Sequence, residues 1–286
     1  MNTKIPLFNG VMLELQSNCN RDCFFCNRPA DTSGKRIKAD GKPVIQAMPT
    51  EHVIRLLDEI YSLGFKGVIA FHHMSEPFLD SRIIEIANEA KKRGMRPYAY
   101  TNGDVIRRNG ELCREAVNVF EKIIVGIYDA DTTLKIAQEE QFWTQRLRGT
   151  QVGFSRLDKL YRRTFVPNSI KVPEKRLYPN GICDLPIERL IIHYDGNVAF
   201  CCEDMKDEFN LGNVFETSIE DIWFSKTHTN IIKDLKKGLR GKYPLCSKCP
   251  VKPTHKSRFH LVWTTLKKHH IKPTVKKIFP TVLSRT

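Results

Sequence analysis

The spacing of apolar positions changes period in a regular rhythm along the first half of the chain. Residues 11–17 (VMLELQS) alternate loosely, as a strand does, and a polar insertion over roughly 29–47 comes after them. From Pro49 the spacing turns helical: Val53, Leu56, Leu57, Ile60 and Leu63 share one face, Thr50 stands where an N-cap belongs, and Gly64 ends the run. A short buried strand, Gly67 to Phe71, follows. A second helix from about Ser81 turns Ile83, Ile84, Ala87 and Ala90 inward and stops at Gly94. Arg96 to Tyr100 then reads as a strand running into Thr101-Asn102-Gly103. The unit repeats with a helix over 111–119, a buried strand Lys122 to Ile127, a helix near 132–146 and a weaker strand near 150–155.

Buried strands alternating with helices predict a parallel sheet, and such folds place their sites on the loops after the strands. The units between residue 11 and about 165 are too few to close an eight-stranded barrel. The expected class is therefore α/β, an open partial (β/α)6 TIM-like barrel. Beyond it the rhythm changes: Ile187 to His193 and Val198 to Cys201 flank Asp195-Gly196, a strong hairpin signal. Leu211 to Val214 and a helix ending at Ile219–Trp223 lead on toward a CxxC pair. The expected division is a core over 1–170, a small cysteine-rich domain of β-hairpin plus helix over 171–250, and a basic amphipathic tail over 251–286.

Composition narrows the class. With 41% hydrophobic residues, no uncharged apolar run long enough to span a bilayer and no signal-peptide core in MNTKIPLFNG, the chain reads as cytoplasmic. The net charge of +14 looks like a nucleic-acid signal until it is divided along the chain. Residues 251–286 hold nine Lys and Arg and no acid, so most of the excess belongs to the tail. There Phe259, Val262, Trp263 and Leu266 have helical spacing, repeated by Val275, Ile278, Phe279 and Val282. These stripes suit contact with an anionic membrane surface or an acidic substrate, and equally an apolar face packed on the barrel. Nucleic acid ranks behind both, since aromatic residues are few and no RNA- or DNA-binding motif is present.

The nine cysteines, an odd number in clustered spacings, point to metal ligands rather than disulfides. Cys19, Cys23 and Cys26 form a compact CxxxCxxC triplet directly after the first strand. Structural zinc closes with four ligands, whereas three thiolates suit a cubane 4Fe-4S cluster with one open iron. A second set comprises Cys183, Cys201 after Gly196, and Cys246-Ser247-Lys248-Cys249: four ligands, enough to fill a site. On spacing alone a zinc knuckle or zinc ribbon is the competing reading. Cys113 falls on a predicted helix and reads as a buried apolar residue.

The triplet resembles that of the radical S-adenosylmethionine (SAM) enzymes, and the partial barrel is their core. The resemblance implies that SAM chelates the open iron and is reductively cleaved to a 5'-deoxyadenosyl radical that abstracts a substrate hydrogen atom. It places Phe25, just before Cys26, near the adenine. Ser75-Glu76-Pro77 stands where the family has a Gly-Gly-Glu-Pro loop on the SAM amino group; Glu76 and Pro77 match, while Met74 and Ser75 replace the glycines. Thr101-Asn102-Gly103 resembles the family's TNG segment, which would set Asn102 beside the SAM ribose or carboxylate. His72, His73, Tyr128 and Asp129 occupy comparable positions at the barrel mouth.

The block from 183 to 249 resembles the twitch domain, a shortened SPASM domain, and implies one auxiliary 4Fe-4S cluster on Cys183, Cys201, Cys246 and Cys249. Cys202 competes with Cys201, but the Gly-x4-Cys spacing favours Cys201. Two 4Fe-4S clusters and SAM are thus the implied cofactors. The cysteine layout as a whole resembles the single-auxiliary-cluster dehydrogenases of aminoglycoside biosynthesis, which oxidise a ring alcohol of an aminocyclitol. The implied function is oxidation of a small molecule, a sugar- or cyclitol-like alcohol, served by an external one-electron reductant of the flavodoxin or ferredoxin type. A radical SAM peptide- or protein-modifying maturase shares the scaffold, although no leader-peptide-binding module reads ahead of the core. A zinc-binding interaction protein is the rival of a different class.

Overall fold

The computed structural model describes residues 5–21, 23, 25–26, 46–156, 177–204, 209, 211–249 and 251–253. Most of the polar insertion and both apolar stripes of the tail, from Phe259 to Val282, lie outside the described residues.

Six parallel strands and one antiparallel strand form a single sheet. In chain order they are β1 (Gly10–Leu13), β2 (Val68–Ala70), β3 (Arg96–Thr101), β4 (Lys122–Ile127), β5 (Gln151–Arg156), β6 (Arg189–Ile192) and β7 (Val198–Ala199). The spatial order is β5-β4-β3-β2-β1-β6-β7, so β1 lies between β2 and β6 and the sheet is an open, partial barrel. The helices are α1 (Thr50–Ser62), α2 (Ile83–Lys92), α3 (Asp104–Arg108), α4 (Gly110–Val119), α5 (Thr133–Arg146), α6 (Leu185–Glu188), α7 (Ile219–Trp223), α8 (Lys226–Lys236) and α9 (Pro244–Ser247). None of the helices among the described residues is long and apolar enough to cross a membrane.

The two faces of each strand diverge as the period of two requires. Val11, Leu13, Ile69, Ile123 and Val125 are buried against the helical layer, where Leu56, Leu57, Ile60, Ala87, Ala116 and Trp143 meet them. Fully burying a side chain of this size contributes about 1.5–3 kcal/mol, so this layer carries most of the fold's stability. The opposite positions turn into the barrel lumen. Met12, Ala70 and Ile191 pack there with Ala199, Tyr98 and Cys202.

Several elements differ from the expectation, for identifiable reasons. β1 ends at Leu13, and beyond it the backbone turns to other partners, the Leu15 carbonyl accepting from Met48 N and Ser17 N donating to the Gln46 carbonyl, both at 2.8 Å. Pro49, not Thr50, is the N-cap residue of α1, and it makes no side-chain cap bond. The Thr50 hydroxyl instead accepts from the Arg82 guanidinium at 2.9 Å. In α2 the inward set is Ile83, Ile86, Ala87 and Ala90; Ile84 is only half-buried. The short helix α3 was not read from the sequence at all.

The sixth parallel strand is contributed from far along the chain. Arg189–Ile192, expected as one arm of the hairpin, pairs antiparallel with β7 on one edge and parallel with β1 on the other. The segment that follows is anchored to the barrel: Arg55 donates to the Val214 carbonyl at 2.9 Å, and Trp223 Nε1 donates to the Pro6 carbonyl at 3.0 Å.

Candidate functional site

The C-terminal ends of β1, β2 and β3 are tied into one knot by polar side chains. Gln16 Nε2 donates to the Glu76 carbonyl at 3.0 Å, and Gln16 Oε1 accepts from Asn18 N at 2.7 Å. Glu76 N in turn donates to the Asn18 carbonyl at 2.9 Å. The Glu76 carboxylate is 2% exposed and accepts from Thr101 Oγ1 (2.7 Å), Asn102 N (2.8 Å) and Phe78 N (3.2 Å). Burial pushes this carboxyl up to about 7, against the pull of those three donors. Both of its oxygens are engaged, so its direct effect is to fix Thr101 and the backbone at Phe78 and Asn102.

Cys19, Cys23 and Cys26 stand on the loop held by this knot. Cys26 N donates to the Cys23 carbonyl at 2.8 Å, and Asn102 Nδ2 reaches Cys19 Sγ at 3.9 Å and Asn20 Oδ1 at 2.8 Å. Burial, with Cys26 and Cys19 nearby, pushes the Cys23 thiol up to about 11. A thiol so placed ionises readily only when a metal takes the charge. The loop is braced by Arg21, whose Nε and Nη2 grip Asp104 at 2.7 and 2.6 Å while Nη1 lies 2.9 Å from Asp129. The Arg21 guanidinium holds the Asp104 carboxyl below its usual range despite partial burial.

Beside this loop, at the ends of β3 and β4, lies a cavity of about 340 Å³. Its lining includes Arg21, Asn102, Asp104, Tyr128, Asp129 and Trp143. Gly103 sits at φ +84°, and a Cβ there would meet Trp143 at 2.6 Å, so the turn needs glycine on both counts. Phe25 is buried with its ring 4.8 Å from that of Tyr128. Tyr128 continues the contact into the lumen, bonding Tyr100 Oη at 2.8 Å and Ser155 Oγ at 3.0 Å.

The lumen itself is layered. Two residues beyond the apolar layer of Met12, Ala70, Tyr98 and Ile191 stand Glu14, His72, Tyr100 and His193, a polar ring on the same face. His72 lies 5.3 Å from Tyr100 and His73 4.9 Å from His193, ring to ring. Glu14 is 1% exposed and accepts from Met74 N at 2.8 Å. Burial pushes its carboxyl up, with His193 the strongest opposing influence. Glu14 and His193 escaped the sequence reading; their signal was a polar residue at the end of a buried strand.

The second cysteine set comes together in two pairs. Cys201 is within electrostatic range of Cys246, and Cys249 of Cys183. Cys183, Cys201 and Cys246 pack in the main core, whereas Cys202 packs with Met12 and Ile191 in the lumen. Burial pushes the Cys183 thiol up and the Arg240 guanidinium pulls it back; burial drives the Cys201 thiol well above its ordinary value. No disulfide joins any of the nine cysteines, all of which are described. Among the described residues no group of three or more Cys, His, Asp or Glu side chains closes on a single metal ion. Three thiols on one loop and four in a second set are the soft donors that iron–sulfur clusters take, and they fit iron–sulfur ligation by number and type.

Comparison with known proteins agrees with this geometry. The radical SAM superfamily model matches residues 13–150, and the SPASM iron-sulfur cluster-binding domain model matches 183–250. A curated relative from Niallia circulans, an S-adenosyl-L-methionine-dependent 2-deoxy-scyllo-inosamine dehydrogenase, is 27% identical over 246 residues, which are 85% of this chain and 93% of the relative. The crystal structure of BtrN with AdoMet and 2-DOIA superposes with TM-score 0.68 at 26% identity, over 86% of this chain and 94% of that one. A structure of anSMEcpe with AdoMet and a peptide matches at TM-score 0.55 and 14% identity, over 91% of this chain and 95% of that one, which is likeness of fold alone. Such domains carry a SAM-binding 4Fe-4S cluster and an auxiliary cluster. The chain thus joins a radical SAM core with the partial-barrel fold to a C-terminal SPASM domain.

Proposed function

We propose that the protein is a dehydrogenase that oxidises a ring alcohol of a cyclitol-like small molecule bound in the barrel lumen. The observation that carries this reading is the polar ring of Glu14, His72, Tyr100 and His193, set beside the cysteine loop on an apolar floor. A small polyhydroxylated ring needs such a layer of donors and acceptors, with an apolar base to shape it. The share of the chain aligned with the 2-deoxy-scyllo-inosamine dehydrogenase supports the substrate class.

In this reading Cys19, Cys23 and Cys26 hold the SAM-binding cluster, and Cys183, Cys201, Cys246 and Cys249 hold the auxiliary one. Converting H–C–OH to C=O removes a hydrogen atom, a proton and an electron. When bound, the SAM site supplies the hydrogen-atom acceptor and the second cluster a one-electron sink. The chain's own residues do the rest. Asn102, fixed by Glu76, and Phe25, edge-on to Tyr128, shape the SAM pocket. In this reading Glu14 and His193 of the polar ring take the hydroxyl proton, and the raised Glu14 carboxyl suits proton exchange. The division into a core to about 170 and a cluster domain over 171–250 belongs to the same proposal, with β6 shared between them. So do a cytoplasmic setting and a flavodoxin- or ferredoxin-type reductant.

The test is anaerobic reconstitution followed by turnover with SAM, a one-electron reductant and 2-deoxy-scyllo-inosamine or related cyclitols deuterated on the ring. We expect about eight irons per chain, with deoxyadenosine and ketone formed one for one and deuterium in the deoxyadenosine. Zinc without sulfide would overturn the cluster reading. Deuterium transfer from a peptide but from no cyclitol would overturn the substrate class.

A further inference from the structure

One charged side chain has no place in this scheme, yet it is among the most deeply buried in the molecule. Arg240, in the turn between α8 and α9, is 1% exposed. Its Nη1 donates to the Val251 carbonyl at 2.7 Å and its Nη2 to the Ile182 carbonyl at 2.8 Å. Ile182 directly precedes Cys183, and Val251 lies two residues past Cys249. The guanidinium therefore bridges the two chain segments that carry these cysteines, and it lies within electrostatic range of both thiols. Its Nε–H has no acceptor among the described residues. Among the described residues no carboxylate pairs with it either; its two partners there are neutral carbonyls.

A buried cation without a counter-ion is costly, and a buried donor without an acceptor adds to the cost. Both deficits vanish if the missing partner is an anion between Cys183 and Cys249. A 4Fe-4S cluster on four thiolates is such an anion, with sulfur atoms that accept hydrogen bonds. We infer that Arg240 is a positioning residue for the auxiliary cluster: it straps the segments bearing Cys183 and Cys249 and offers its remaining donor and its charge to the cluster sulfurs. A fixed positive charge beside a redox group favours its more negative, reduced state, so Arg240 raises the cluster's potential and makes it a better electron acceptor.

The inference rests on the auxiliary-cluster reading, and the experiment separates the two. In the full-length chain carrying C19A, C23A and C26A, only the second cluster can form. If that protein holds no iron and sulfide, the cluster reading itself fails. If it holds four irons, the midpoint potential is measured by EPR-monitored titration with Arg240→Gln and Arg240→Lys added. Arg240→Gln should make reduction about tenfold less favourable, a fall of ~59 mV for one electron. Arg240→Lys, which keeps the charge, should stay close to the parent while losing iron faster to a chelator. An unchanged potential in a loaded Arg240→Gln protein would overturn the inference. Equal shifts in both variants, or loss of the cluster from both, would make Arg240 a structural strut and overturn it as well.

Discussion

The two cysteine sets solve opposite problems with the same ligand. Cys19, Cys23 and Cys26 lie on a half-buried loop that borrows its shape from polar bonds to Asn102, Asp104 and Asp129. The cavity lined by Arg21, Asn102 and Asp104 lies beside that loop. Of the second set, Cys183, Cys201 and Cys246 pack in or against the main apolar core, and the buried Arg240 bonds the segments that carry Cys183 and Cys249. In the proposed assignment three ligands leave a position open to SAM and four leave none; exposure does not separate the two sets, since every one of these thiols but Cys246 is half-buried. The difference teaches that the number of ligands, not their type or burial, divides bond-breaking from electron transfer in this reading.

The largest effect should come from breaking the open set. Replacing Cys19, Cys23 and Cys26 together by alanine should abolish SAM cleavage while leaving about four irons, read by iron assay and deoxyadenosine formation. Breaking the four-cysteine set should look different. Cys201→Ala should leave SAM cleavage measurable but reduce ketone formation at least a hundredfold, because the substrate would lose its electron acceptor. Cys202→Ala, one residue away and packed toward the lumen, should keep the full iron content. If C202A lost the second cluster and C201A kept it, the ligand assignment would be reversed.

A smaller effect separates the sites by pH. The Glu76 carboxyl is held near 7 in the folded protein, above its unfolded value of 4.5. Between those values the native state binds more protons than the unfolded chain, so stability falls as pH rises through the window and levels off above it. The change is of order 3 kcal/mol. Denaturation curves of the full chain should show this slope, and Glu76→Gln should flatten it. At pH 8 that variant should also bind SAM more weakly, since the amide cannot accept from Thr101, Phe78 and Asn102 together.

Local signals were legible and long-range ones were not. β4 appears with the bounds that its apolar run marked, because a buried strand declares itself within six residues. The triplet and the hairpin turn at Gly196 are similarly local. The pairing of β1 with β6 joins residues some 180 apart, and no periodicity encodes it. Thr50 looked like a cap, but Arg82, 32 residues on, claimed its hydroxyl. α3 was hidden because Asn102-Gly103 reads as a turn, and the helix begins inside it. Arg240 gave no signal: among Lys233, Lys236, Lys237 and Lys242 it reads as one more solvated charge, and only tertiary packing buries it.

The smallest expected effect comes from the cysteine that belongs to neither set. Cys113 lies on the inner face of α4, 3% exposed, and its thiol sits 3.9 Å from the Arg146 carbonyl. Burial pushes it up, as it does the ligands, so an inert thiol and a ligand thiol are alike in that respect. What differs is company: no second cysteine approaches Cys113 as Cys183 approaches Cys249 or Cys26 approaches Cys23. Cys113→Ala removes one sulfur from a packed layer and should cost about 1 kcal/mol of stability, with iron, sulfide and turnover unchanged. Loss of iron from that variant would mean that burial alone, rather than convergence of thiols, governs where clusters assemble in this chain.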